Sequence, residues 1–106
     1  MYSFEDIKAR SESKEEIVVE YADAMELLYI FEKSQTKVLG WEGWIKHENG
    51  KMSHSIKYQG NTDLSEMPIL SALLLTKSTV MQAHTEWEEK PEANNAVLLF
   101  CITTDT

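Results

Sequence analysis

The dipeptide Asn49-Gly50, with an alternating apolar segment on either side, constrains this chain more than any other feature. A two-residue type I′ turn needs φ > 0 at both central positions, and Asn-Gly supplies that at low cost. A turn placed there sets a register. Glu48 faces Lys51, His47 faces Met52, Ile45 faces His54, Gly43 faces Ile56, Glu42 faces Lys57 and Trp41 faces Tyr58. One face then collects Leu39, Trp41, Ile45, Met52, Ile56 and Tyr58 as core, and the other pairs Glu42 with Lys57 and Lys46 with Ser53. Trp44 is left on the polar face beside Glu42, Lys46 and Ser55. A large ring there is either covered by another layer or exposed for a partner.

Three segments have helical character. Residues 3–10 form a short helix with Ser3 as its N-cap. Residues 14–33 form a longer one. Ser13 and Glu16 match a capping box, and Ile17, Tyr21, Ala24, Leu28 and Phe31 share one stripe. Residues 66–77 form a third, with Ser65 as cap and Pro68 in the first turn. The segment STVMQAHTEWEEK satisfies two periods. Its alternation of Met81, Ala83, Thr85 and Trp87 favours a strand, paired through the loop KPEANN with the buried run AVLLFCIT.

The expected order is α-α-β-β-α-β-β over a single domain, residues 1–106. That is an α+β two-layer sandwich: four antiparallel strands in two hairpins, with helices on one face. A chain of 106 residues is long enough for one core without disulfide or metal. No signal-peptide core is visible at the N-terminus and no apolar run approaches a membrane span. The single cysteine, Cys101, lies in an apolar run, which points to a buried inert thiol and a reducing, cytoplasmic setting.

The charge is −8, from 18 acids against 10 bases, and Arg10 is the sole arginine. No basic cluster exists to hold phosphates, so nucleic acid is not an expected partner. His47, His54 and His84 lack metal-ligand spacing, and no cofactor fingerprint is present. No catalytic residue can be named. The reading is therefore a small acidic, non-enzymatic protein-binding domain that self-associates or binds a basic protein. Its narrowest version is an immunity-like or antitoxin-like inhibitor of a nucleic-acid-cutting toxin. The expected surface is Trp44 with a strip on helix 14–33, where Val19, Leu27 and Ile30 fall among acids including Glu20 and Asp23. The alternative is a small-molecule-binding or catalytic domain with a pocket between sheet and helices near His47, His54 and Tyr58.

Overall fold

The computed structural model describes residues 4–60 and 63–105. In chain order the elements are α1 (Phe4–Ala9), β1 (Val18–Val19), α2 (Tyr21–Ser34), β2 (Val38–His47), β3 (Met52–Gln59), α3 (Ile69–Glu88), a 3-10 turn (Pro91–Asn94) and β4 (Ala96–Thr104). The strands form one antiparallel sheet ordered β1-β4-β2-β3. The three helices pack against one face of it, giving the expected α+β two-layer architecture.

β4 is central because its apolar run serves both faces. Leu98, Phe100 and Ile102 enter the main core, while Leu99 and Cys101 are buried on the opposite face. The main core joins these to Trp41 and Tyr58 from the hairpin, Leu27 and Phe31 from α2, and Val80 and Trp87 from α3. Ile7 of α1 is fully buried in it. The Arg10 guanidinium bonds both oxygens of Asp23 at 2.8 Å, tying the exit of α1 to the first turn of α2. Among the described residues, no helix is long and apolar enough to cross a membrane.

The helix expected over 14–33 begins only at Tyr21. The Ser13 hydroxyl does accept from the Glu15 and Glu16 amides, at 3.3 Å each, but in a turn. Ser11 Oγ binds the Ser13 and Glu16 carbonyls and the Val18 amide, so side chains take backbone groups a helix would need. Val18 and Val19 then pair with Cys101 and Phe100 of β4. The expected cap Ser3 lies outside the described residues.

The second hairpin does not form. Residues 79–88 are the second half of α3, and the fourth strand is the two-residue β1. Ala72, Leu73, Thr76, Val80, Ala83 and Trp87 make one uninterrupted buried stripe at helical spacing. That continuity outweighs the local alternation of residues 81–87. The helix expected over 66–77 thus starts at Ile69 and runs to Glu88, and Pro68, not Ser65, takes the N-cap position.

The hairpin at 38–59 forms with a different turn. His47 N–H bonds the Lys51 carbonyl and Gly50 N–H bonds the His47 carbonyl, each at 2.8 Å. Among the described residues Gln35 alone has positive φ without being glycine, so Asn49 is not left-handed, whereas Gly50 has φ 87°. The loop is therefore three residues with glycine in the left-handed position, not the two-residue turn expected. The register slips by one: Lys46 faces Met52, Ile45 faces Ser53 and Trp44 faces His54. A slip of one moves the pairing partner to the other face, so Met52 joins Trp44 and leaves the main core.

A wide bulge then resets β3. Between the rungs Trp44–His54 and Glu42–Gln59, one residue of β2 stands against Ser55–Tyr58 of β3. The Tyr58 amide bonds Ser55 Oγ at 2.9 Å within the bulge. Tyr58 and Trp41 share the main core as expected, but they are not opposed: Gly60 N–H bonds the Trp41 carbonyl, Glu42 faces Gln59 and not Lys57, and Ile56, an expected core residue, is 89 % exposed.

Candidate functional site

Antiparallel pairing brings Trp44, Leu99, Glu42, Cys101, Lys46 and Val97 to the sheet face that carries no helix, because directly opposed residues share a face. Val18 joins them opposite Cys101. Val18, Leu99 and Cys101 are nearly inaccessible there, roofed by the half-buried Trp44 and Met52. The structure thus resolves the place of Trp44. It neither enters the main core nor stands free; it lies along the helix-free face.

Its orientation is held on two sides. The indole N–H donates to Glu42 Oε1 at 3.2 Å. The His54 ring packs against the indole at 4.3 Å between centroids, with its Nδ1 3.7 Å from Glu42 Oε1. The rim is charged: Glu12 pairs with Lys46 at 2.7 Å, and carboxylate oxygens of Glu16 and Glu42 lie within 4.8 Å of each other and of Cys101 Sγ. Burial, reinforced by the charges of Glu16 and Glu42, pushes the Cys101 thiol up to about 12. The face combines an apolar centre (Trp44, Met52 and the exposed Val97) with a mostly acidic margin.

The strip expected on helix 14–33 is not assembled. Val19 is 2 % exposed in β1 and Leu27 is fully buried in the core. Asp23 is engaged by Arg10, and Glu20 is exposed just before α2. Of the strip's three aliphatic residues, Ile30 reaches a surface depression. It lines a groove of about 700 Å³ with Phe4, Ile17, Phe31 and Ile102. The failure has a simple cause: α1 and β1 cover the side of α2 that a helical wheel leaves open, as Ile7 burial shows.

The three histidines are dispersed. His47 Nε2 lies 2.9 Å from Ser53 Oγ, His54 packs on Trp44, and His84 stacks on Tyr21 at 3.8 Å. His47, His54 and Tyr58 nonetheless border one solvent-open groove of about 750 Å³ at the β3 edge. Lys57 and Lys90 each hold Nζ 5.3 Å from the Tyr58 ring centroid in that groove. The Tyr58 hydroxyl beside it raises the Lys90 pKa, favouring the ammonium.

Sequence reasoning places Glu16 in a capping box and Ile56 in the core, and does not single out Glu12. Nothing local marks their final positions: Glu16 and Glu12 reach the face only because β1 pairs with β4, and Ile56 is expelled by the bulge. Comparison with protein-family models, with curated proteins and with solved structures gives no match.

Proposed function

We propose that this chain is a non-enzymatic protein-binding domain whose helix-free sheet face receives a basic protein. One observation carries the reading: Trp44 lies on a face without a helix layer, held by Glu42 and His54 and bordered by carboxylates. An aromatic anchor in an acidic rim is the arrangement in which the ring supplies affinity and the charges steer encounter. The net charge of −8 favours a basic partner and disfavours nucleic acid. Inhibition of a basic nucleic-acid-cutting enzyme is the narrowest form of the proposal. The buried lone thiol supports a reducing, cytoplasmic setting.

The test is capture of partners from native lysate followed by binding kinetics. Trp44→Ala should weaken association at least about 30-fold, as expected when a central tryptophan contributes about 2 kcal/mol or more. Glu12→Lys and added salt should both slow association with a basic partner. A homodimer through this face would tighten with salt, and light scattering reads it. Unchanged binding by a folded Trp44→Ala variant would sink the reading. The groove bordered by His47, His54 and Tyr58 supports a second one, a site for a small anionic ligand beside Lys57 and Lys90. Ligand screening against Lys90→Ala distinguishes it from the first.

A further inference from the structure

We propose that Glu16, Glu42 and Cys101 form a binding site for a thiophilic divalent cation of the zinc class. The proposal does not rest on the partner reading, although both concern the helix-free face.

The donor atoms come from three places in the fold. Cys101 belongs to β4, Glu42 faces it across the rung from β2, and Glu16 lies two residues before Val18, which faces Cys101 from β1. One oxygen from each carboxylate and the Cys101 sulfur all lie within 4.8 Å of one another. Tetrahedral zinc with Zn–S of about 2.3 Å and Zn–O of about 2.1 Å would place these donors roughly 3.4–3.6 Å apart. Closing that difference takes rotation of two glutamate side chains, of which Glu16 is exposed and Glu42 is partly so. The strands need not re-register, and the ion reaches the buried sulfur by the same local opening that limits thiol labelling.

A second observation points the same way. Cys101 is 2 % exposed, and its thiol has no hydrogen bond among the described residues, yet its sulfur lies against two carboxylates. Two anionic groups gathered around a buried thiol repel one another, and a dication between them converts that repulsion to attraction. The donor set selects the metal. Calcium and magnesium take oxygen ligands, whereas one thiolate with two carboxylates suits zinc and its cobalt surrogate. A water can supply the fourth position, as His54 packs on the Trp44 ring and stands outside the donor set. The Trp44 indole N–H already donates to Glu42 Oε1 and so orients a ligand from outside the donor set. On binding, the S–H bond breaks, the sulfur–metal bond forms, and the proton leaves to solvent.

The experiment titrates Co²⁺ alone into the reduced, chelator-treated full chain. A thiolate-to-cobalt charge-transfer band that saturates at one equivalent, is displaced by Zn²⁺ and ignores Mg²⁺ is the expected result. Glu16→Gln combined with Glu42→Gln alters only partly or fully exposed side chains, keeps the fold by circular dichroism, and should weaken cobalt binding roughly tenfold or more. Cys101→Ser should abolish the band. No charge-transfer band in excess Co²⁺, or a band undiminished in the double glutamine variant, overturns the proposal.

Discussion

Gly43→Ala should destabilise the protein while Gly40→Ala, three residues away on the same strand, should not. The difference follows from the bulge in β3. A Cβ at Gly43 would collide with the Tyr58 carbonyl oxygen and stand 3.2 Å from both Tyr58 Cβ and Leu98 Cδ1. Leu98 Cδ1 is a side-chain tip and can yield a few tenths of an ångström. The carbonyl is backbone, and its segment is held by the bond between the Tyr58 amide and Ser55 Oγ. Overpacking of this kind costs about 1–3 kcal/mol. Loss of glycine's freedom in the unfolded chain returns about 0.4–1 kcal/mol. Taken at mid-range, the two leave a net loss of about 1.3 kcal/mol, which lowers the melting midpoint by roughly 5–10 °C for a domain of this size. A Cβ at Gly40 meets nothing within 4 Å, so only the favourable unfolded-state term remains there. Urea unfolding followed by circular dichroism reads both, with the m-value showing whether the denatured state has changed. If the Gly43→Ala and Gly40→Ala proteins prove equally stable, Gly43 does not oppose Tyr58 and the bulge is misplaced.

Two further outcomes test the core. Thr79→Val should cost about 1–3 kcal/mol, because the Trp41 indole N–H donates to Thr79 Oγ1 at 2.8 Å and would be left buried without a partner; urea unfolding within 0.5 kcal/mol of the parent, roughly the ordinary surface-substitution range, would refute the contact. Cys101, with its thiol pushed up to about 12 and its side chain buried, should react with a thiol reagent at pH 8 only at the rate of unfolding or local opening; fast stoichiometric labelling of the native chain would contradict the assigned environment.

Much of the candidate site was legible residue by residue, but not as a site. Trp44 stood out in the sequence because a large ring fell among polar neighbours, and Glu42 and Lys46 were already beside it on that face. His54 was assigned to the opposite face by one residue of register, and that error hid its contact with the indole. Glu16 was read as a helix-capping partner, a role compatible with its short-range pattern. Its neighbourhood with Cys101, 85 positions along, depends on a strand of two residues with no periodicity to announce it.

The amino-acid order alone carried the local decisions. The stripe of Tyr21, Ala24, Leu28 and Phe31 makes α2 amphipathic, the run from Leu98 to Ile102 makes a strand buried on both faces, and Gly50 permits the positive φ that reverses β2 into β3. Each rests on spacings of a few residues, which the chain contains wherever it folds. Tertiary structure settled what depends on distant partners. Residues 79–88 suit either period, and their stripe joins Val80, Ala83 and Trp87 to a core already built by the first half of α3. Val18 and Val19 leave the helix expected over 14–33 because the outer edge of β4 offers them ladder bonds. The bulge that expels Ile56 and seats Tyr58 requires Gly43 on the neighbouring strand and Ser55 within its own. Pairing energy between remote segments is absent from any local window, and here it decided the register and the composition of the helix-free face.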